Sequence, residues 1–345
     1  IVLLASCVAG IDAAEWKIDP TLRLEGGYND NILLTTNDEV SSAFATFSPS
    51  AVFSVNTPTT GASGEARFDF RRYEDDSNLD DNNSRLNLRS HHNLERSRLG
   101  LDFDFIKDTT LDSQLEATGL IFGRVRRQRV NVSPNWSYSL DERTRVSASY
   151  NYSDVEYKNA GDTGFVNYDL NSAQASLTHV PNERTNASIT LSRTKSNNDN
   201  NVESTNTNLQ GGATYRFSET LSTSLFVGVR RTEVDFSQTS LIPIFSGDTI
   251  IGFVPLNEDV SNSDWGYTFS GSVTKRFLRG ESTFSASRDI SNDINGVPIE
   301  VDRFRLLNLY RFGETLAAKL NLEFYNSQTN NSARANADRE YYQIE

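Results

Sequence analysis

Apolar and polar residues alternate along most of this chain with a period of two. The first such run places apolar residues at every second position, with polar residues between them: Trp16, Ile18, Pro20, Leu22 and Leu24. Successive side chains of a β-strand point to opposite faces, so this pattern predicts strands with one apolar and one polar face. Each run is about ten residues long, which is the length of a tilted strand that crosses a membrane.

Two separated stretches repeat the same turn. Residues 214–229 read TYRFSETLSTSLFVGV and residues 309–324 read LYRFGETLAAKLNLEF, each with Arg-Phe, a polar pivot and a new alternating run. Such short pivots alternate along the chain with longer polar loops, among them 107–119, 234–262 and 289–298. Short turns at one end and long loops at the other are typical of outer-membrane barrels. The sequence therefore predicts an all-β fold, a transmembrane antiparallel up-and-down β-barrel with short periplasmic turns and long extracellular loops.

The number of alternating runs predicts about 16 strands, the last of which begins near Arg339. The chain stops within that run, at YYQIE, and we expect about 18 strands in a complete barrel. A water-soluble β-sandwich is the alternative, since its strands also alternate. The membrane barrel is favoured by the number of hairpins, by aromatic residues near the strand ends and by charged rows on the polar face.

The charge balance limits the kind of partner. The chain of 345 residues carries 46 acidic and 33 basic residues, a formal net charge of -13. This excess of acid argues against nucleic acid, because phosphate binding needs a basic surface. The 20 Phe, 13 Tyr and 3 Trp argue against a disordered chain, which would be poor in aromatic residues.

The N-terminal segment IVLLASCVAGIDAAEW is apolar, then rich in small residues, then polar, as at the end of a secretory signal peptide. We therefore expect residues 1–14 to be the remnant of a signal peptide and residues 15–345 to be the barrel, cut short at its C-terminus. Cys7 is the single cysteine, and lipidation of this residue is the alternative. The pattern predicts an exported protein without a disulfide framework.

Several passages resemble a known group of barrels. WKIDPTLRLEGGYNDNILLT, which contains Tyr28-Asn29-Asp30-Asn31, is similar to the mature start of the β-barrel porin 2 family and of the outer-membrane proteins associated with the PEP-CTERM (exosortase) system. RVRRQRVNVSPNWSYSLDERTRVSASYNYSDVEY resembles their middle hairpin. The resemblance implies an outer-membrane protein that works with exopolysaccharide or surface-export machinery. It implies no catalytic residues, because its motifs mark strands and turns.

Charged residues recur on the polar face of consecutive predicted strands. The candidate pore-lining residues are Arg67, Asp69, Arg71, Arg85, Arg89, Asp102, Asp104, Arg127 and Arg129. Clusters of Arg and Asp would create a transverse field that orients polar or anionic solutes in a water-filled lumen. In the alternative interpretation these residues form ion pairs that fill the barrel and close it.

One long predicted loop contains an apolar stretch, LIPIFSGDTIIGFVPL, at 241–256. If it folds inward, it constricts the pore through Ile242, Phe245, Asp248, Ile251 and Phe253. In the alternative it forms an extracellular hairpin above the rim, with Gly-Asp-Thr as its turn. The sequence leaves both arrangements open.

The histidines are His91, His92 and His179. A hydrolase would need one of them beside a nucleophile and an acid at one rim of the barrel. The sequence shows no such constellation, and we interpret the histidines as residues of the strand ends. We therefore expect neither an enzyme nor a cofactor.

These observations predict a passive pore in the bacterial outer membrane, for polar solutes or for an exported exopolysaccharide. Two alternatives are a non-conducting structural barrel that anchors or sheaths a surface or secretion partner, and an enzyme located at the rim. The expected partners are outer-membrane lipid and lipopolysaccharide, the barrel-assembly machinery and, by the resemblance, exopolysaccharide export components.

Overall fold

The computed structural model describes residues 14–32, 39–75, 77–110, 124–246, 249–293, 295–313, 316–328 and 339–344. The predicted signal-peptide remnant, with Cys7, lies outside the described residues apart from Ala14. In the described chain no helix is long and apolar enough to cross a membrane.

The described residues form sixteen β-strands and two short 3-10 turns, Ser77–Leu79 and Gly161–Thr163. The strands are β1 (Glu15–Asn29), β2 (Ser42–Asn56), β3 (Thr60–Tyr73), β4 (Asp81–Asn93), β5 (Ser97–Thr109), β6 (Arg126–Ser139), β7 (Thr144–Lys158), β8 (Tyr168–Asn182), β9 (Thr185–Asn198), β10 (Glu203–Ser218), β11 (Leu221–Ser246), β12 (Thr249–Phe277), β13 (Gly280–Asn292), β14 (Pro298–Arg311), β15 (Ala317–Gln328) and β16 (Arg339–Ile344).

The strands follow one another in the sheet in chain order. All sixteen belong to one antiparallel sheet, from β1 to β16. This confirms the all-β, up-and-down arrangement and the strand number that the alternation predicts. The chain divides into two compact units, residues 1–138 and residues 139–345. The first unit holds β1 to β6, except for the last residue of β6, and the second holds β7 to β16.

Short and long connections alternate as predicted in the part of the chain from β1 to β9. The turn between β4 and β5 spans 94–96, and the turn between β10 and β11 spans 219–220. The connections after β1 and β5 span 30–41 and 110–125. Between β9 and β15 the difference in length disappears, since the connection between β9 and β10 spans 199–202 and the connection between β13 and β14 spans 293–297.

The loop predicted at 234–262 is wrong. In this region β11 and β12 continue as paired strands, 26 and 29 residues long. The two arms carry isoleucine, valine and phenylalanine, which favour extended backbone, and they pair with each other up to the connection at 247–248. The hairpin thereby extends well past the end of β10, whose pairing with β11 reaches Asp235.

One face of the sheet is apolar and exposed. In the first unit Leu24, Phe47 and Phe70 are cross-strand neighbours, and in the second unit Leu209 lies opposite Val229. Leu24 is 74% exposed and Val229 is 54% exposed. Continuous exposed rows of this kind suit a strand face in contact with lipid rather than with water.

The opposite face is polar and its groups bond to one another. In the second unit the hydroxyl oxygens of Ser172 and Thr194 are 2.9 Å apart, and those of Ser224 and Ser272 are 2.7 Å apart. Cross-strand hydroxyl pairs stabilise a sheet while leaving further hydrogen-bonding capacity for solvent. This face therefore has the character of a wetted wall.

A small apolar core interrupts the polar face of the second unit. Ile299, Val301 and Tyr325 form a buried cluster on β14 and β15. Their strand positions place them on the same face as Arg303, which pairs with Tyr325. Apolar residues are buried on a polar face only where other parts of the chain cover them. Two of the three, Ile299 and Val301, belong to the β13–β14 hairpin.

Candidate functional site

The first unit contains a cavity of about 580 Å³ on its polar face. The cationic residues in its lining are Arg67, Arg71, Arg85, Lys107, Arg127 and Arg129. The anionic residues in its lining are Glu25, Asp69 and Asp108. The cavity is thus a basic region in a chain whose net charge is -13.

The register of β3 to β6 places three of these arginines in one cross-strand row. Arg67 lies opposite Arg85, Arg85 opposite Ile106, and Ile106 opposite Arg129. Directly opposite residues have Cβ atoms about 5 Å apart, and like charges in such a pair destabilise the sheet. The first two side chains of this row therefore repel each other unless an acid or another anion intervenes.

Two acids adjacent to the row neutralise two of the cavity's arginines. Nε of Arg67 donates to both carboxylate oxygens of Asp69 at 3.0 Å. Arg127 donates to the two oxygens of Asp108 through Nε at 3.0 Å and Nη2 at 2.7 Å. Two-point contacts of this kind are the stronger form of an arginine–carboxylate pair.

Arg85 has a different environment. Its neighbours on the same face of β4 are Asn83 and Asn87, and its cross-strand neighbours are Arg67 and Ile106. In the part of the chain that the structure describes, its guanidinium makes neither an ion pair nor a hydrogen bond. The cavity therefore contains a cation that no carboxylate of the described chain balances.

Arg71 belongs to the same cavity. Its Nε donates to Thr46 Oγ1 at 3.2 Å, and its guanidinium carbon lies 5.3 Å from the ring centre of Phe44. The aromatic face and the hydroxyl together fix the direction of this side chain. Arg71 and Phe44 thus form one end of the cavity wall.

The other predicted pore-lining residues share the polar face but lie outside the cavity lining. Arg89 and Asp102 are cross-strand neighbours, with Nε and Oδ1 3.5 Å apart. Asp104 accepts a hydrogen bond from the side-chain amide of Asn87. The structure therefore brings Arg67, Asp69, Arg71, Arg85, Arg127 and Arg129 together and places Arg89, Asp102 and Asp104 further along β4 and β5.

Asp108 is a site residue that the sequence analysis missed. It continues the period-two series of Asp102 and Asp104 on β5, which was the signal available in the sequence. The loop predicted at 107–119 begins too early, because β5 extends to Thr109 and so includes Asp108. The extra residues of strand place Asp108 opposite Arg127.

In the second unit β12 and β13 separate partway along their length. Their last described pair is Phe269 with Arg288. At this level Arg288 donates to both carboxylate oxygens of Asp302 at 2.5 Å and to the Tyr267 hydroxyl at 2.6 Å. Beyond it β12 pairs with β11, and β13 pairs with β14. The far part of the β13–β14 hairpin is thus separate from β12.

The tip of that hairpin, residues 295–299, lies against β8 and β9. Ser196 Oγ donates to the carbonyl oxygen of Gly296 at 2.6 Å, and Asn198 Nδ2 donates to the carbonyl oxygen of Asn295 at 3.1 Å. In the sheet order β10, β11 and β12 lie between the hairpin and these strands. All the residues of the tip are buried. The hairpin tip therefore covers part of the polar face of the second unit.

Arg230 on β11 lies beneath this hairpin and is 2% exposed. It donates to Glu300 of β14 and, at 3.1 Å, to Thr232 Oγ1, and its Nη1 is 3.6 Å from Asp264 Oδ2. Gly266, opposite Arg230, leaves the space in which the guanidinium lies, since a Cβ there would be 2.6 Å from the guanidinium carbon. The sequence analysis did not single out this group, because no local signal joins Arg230 to Glu300.

The apolar stretch 241–256 forms the far end of the β11–β12 hairpin. Ile242, Ile251 and Phe253 are 47%, 64% and 58% exposed. Phe245 pairs with Ile250, and Asp248 and the side chain of Phe245 lie outside the described residues. The structure therefore pairs this stretch with itself, and it is the hairpin tip at 295–299 that lies across the polar face.

The histidines lie at strand ends. Nδ1 of His92 is 2.7 Å from Thr60 Oγ1, and Nδ1 of His179 is 3.0 Å from Thr144 Oγ1, both between cross-strand neighbours. His91, the residue before His92, lies on the polar face of β4. Among the described residues, no three His, Cys, Asp or Glu side chains are grouped as a metal site would need.

No family model matches the chain, and no curated protein matches it. Solved structures do match the chain. The chain is similar to the ferric-catecholate import receptor Fiu from E. coli K12 in its open form (TM-score 0.54, 9% identity), to the copper transporter OprC (0.52, 9%) and to the unliganded ferric citrate transporter FecA (0.51, 10%). The alignments cover 95%, 96% and 96% of this chain, but 64%, 59% and 55% of those chains.

The chain thus spans less than two thirds of the length of these proteins. At such low identity the similarity establishes the fold and nothing finer. The sheet order and the exposed apolar face agree with it. The chain has the fold of the outer-membrane β-barrels and is a protein of the bacterial outer membrane.

Proposed function

We propose that this chain is an outer-membrane pore that polar solutes cross passively, past a charged wall. The observation that carries the proposal is the basic cavity of the first unit, about 580 Å³ of space lined by guanidinium, hydroxyl and amide groups. Such a wall attracts anions and orients dipolar solutes. The proposed mechanism involves no catalytic step and no cofactor.

The cargo in this proposal is an exported exopolysaccharide or smaller polar solutes. The support is the resemblance of residues 16–35 to the β-barrel porin 2 family and to the barrels of the PEP-CTERM system. The apolar face would contact lipid and lipopolysaccharide. The barrel-assembly machinery would insert the chain after removal of a signal peptide, and export components would deliver the polymer.

Single-channel conductance in a planar bilayer tests the pore. We expect stable conductance from the full-length protein, and a shift of ion selectivity away from anions in Arg85→Ala and, less strongly, in Arg89→Ala, which retains the basic cavity. Arg96→Ala, in the turn between β4 and β5, removes the same charge away from the cavity and should conduct like the unmodified protein. Selectivity that is the same in all four proteins would contradict a pore lined by these arginines.

A non-conducting structural barrel is the second candidate, and one observation favours it. The hairpin tip at 295–299 is buried against β8 and β9 and occupies part of the polar face of the second unit. A folded barrel that migrates differently before and after heating in gel electrophoresis, yet gives no conductance, would support this candidate and contradict the open pore.

A further inference from the structure

The lining of the cavity of the first unit includes an exposed cation, Arg85, without an acid partner in the described chain. Asp69 binds Arg67 and Asp108 binds Arg127, each through two oxygens. Arg85 lines the same space and contacts no acid of the described chain. It also lies directly opposite Arg67, whose charge Asp69 balances, so the charge of Arg85 itself is left for a ligand or for solvent.

The surroundings of Arg85 indicate which chemical group of a ligand would bind there. A planar guanidinium presents parallel N–H donors whose spacing matches the two oxygens of a carboxylate. The lining carries six cationic and three anionic side chains, and Arg85 has no acid partner among the described residues, so the site favours an anionic group. The rest of the lining is polar: the Thr46 hydroxyl accepts from Arg71, the Ser48 hydroxyl bonds to Asp69, and each hydroxyl retains capacity for one further hydrogen bond with a solute hydroxyl.

The size of the cavity agrees with a small ligand. Pockets that hold small molecules have volumes of about 300–1,000 Å³, and this one measures about 580 Å³. The space therefore admits a single sugar-sized unit, or one unit of a longer chain that passes through.

We propose that the cavity is a binding site for carboxylate-bearing polyhydroxylated solutes, with Arg85 as the residue that binds the carboxylate. The inference deepens the proposed pore function by assigning the solute class that its wall selects. Arg67 is held by Asp69 and stands on one side of the ligand. Arg71, held by Thr46 and Phe44, forms the wall toward the long-connection end of the strands.

Calorimetric titration of the full chain in detergent micelles tests this assignment. Glucuronate and glucose are the matched probes, since they differ in the carboxylate. We expect glucuronate to bind at least about tenfold more tightly than glucose, because a charge-assisted hydrogen bond to carboxylate is among the stronger contacts. Equal binding of the two sugars, or no binding of glucuronate, would overturn the proposal.

Variants assign the effect to Arg85. Arg85→Gln should abolish the preference for glucuronate, and Arg85→Lys, which keeps the charge but not the planar fork, should retain part of it. Arg96→Gln removes a charge in the turn between β4 and β5 and should retain all of it. If Arg85→Gln retained the full preference, the carboxylate would bind elsewhere and the inference would be wrong.

The titration in micelles does not depend on conduction, so the two proposals can fail separately. A preference for glucuronate without conductance would support the site and contradict the pore. Conductance without that preference would support the pore and contradict the site.

Discussion

Arg230 on β11 donates a hydrogen bond to Glu300 on β14, a residue 70 positions away in sequence, although β12 and β13 lie between their strands in the sheet. The contact exists because β12 and β13 separate after the Phe269–Arg288 pair and the β13–β14 hairpin extends across the polar face. Glu300 also lies 3.3 Å from Arg288, at the point of separation. The carboxylate of Glu300 thus joins the base of the β13–β14 hairpin, at Arg288, to Arg230 on β11.

Removing the charge of Arg230 should destabilise the protein strongly. We expect Arg230→Met to lower the free energy of unfolding by about 2–3 kcal/mol, because Glu300, 13% exposed, would keep Arg288 but lose its charge-assisted hydrogen bond to Arg230. Urea unfolding of the refolded protein measures the change.

Arg231→Met is the matched control for that change. Arg231 is 48% exposed and pairs with Glu233 two residues along its own strand, so its loss should cost less than about 1 kcal/mol. Equal costs for the two variants would show that burial under the hairpin does not strengthen the dependence on Arg230.

The space opposite Arg230 should not tolerate a methyl group. In Gly266→Ala the new Cβ would lie 2.6 Å from the guanidinium carbon of Arg230, and we expect a loss of about 1–3 kcal/mol as the side chain is displaced. Gly271→Ala, on the same strand, is the control, since its nearest neighbour would be at 3.7 Å. A thermal or urea unfolding series should show Gly271→Ala close to the unmodified protein; the reverse order would contradict the assigned packing.

The hairpin tip should detach from β8 and β9 when Gly296 is changed. Gly296 has a φ of 74°, and a Cβ there would lie 2.7 Å from Tyr168 Cγ, so Gly296→Ala is strained and also clashes. We expect faster amide hydrogen exchange at residues 295–297 and at Ile299, and, if the hairpin narrows the passage, larger single-channel conductance.

Gly161→Ala is the control for replacing a positive-φ glycine without a clash. Gly161 has a φ of 51° with open space around its Cβ position, so this variant carries the strain alone. Hydrogen exchange at residues 295–297 and at Ile299 should be unchanged in Gly161→Ala. Unchanged exchange in Gly296→Ala as well would mean that the tip is not held by its contacts with Tyr168 and Ser196.

The turn before β7 should contribute stability that depends on pH. The backbone N–H of Arg143 donates to Asp141 Oδ1 at 2.7 Å, and this bond, together with the hydroxyl of Thr144, lowers the pKa of Asp141. Because the folded pKa lies below the unfolded value of about 3.9, the contribution is fully present above about pH 4 and is lost as the pH falls through the folded pKa.

Asp141→Asn tests this dependence, since the amide oxygen can still accept the hydrogen bonds but does not titrate. Urea unfolding between about pH 2 and pH 6 should show a smaller acid loss of stability in the variant. Glu142→Gln, next to it in the same turn, is the control for the loss of one negative charge. Identical profiles for Asp141→Asn and the unmodified chain would contradict the role of the carboxylate.

The sequence alone determined the strands and their faces. Leu22 and Leu24 on one face and Arg67, Asp69 and Arg71 on the other follow from the period of two, which is a property of the extended backbone. The Arg67–Asp69 pair could also be foreseen, because residues two apart on a strand share a face. These features need only local information, which is why the alternation was sufficient to predict the fold.

The tertiary structure decided which of those residues meet. The Arg127–Asp108 pair depends on how far β5 extends and on its register with β6, and the isolation of Arg85 depends on the register of β3, β4 and β5. The contact between Arg230 and Glu300 depends on the separation of β12 from β13 and on the hairpin tip reaching β9. Residues 289–298 carry no periodic signal for that path, because a polar loop can extend into solvent or fold over a polar wall with the same hydrogen-bonding groups. Only the three-dimensional arrangement of the strands distinguishes these two outcomes.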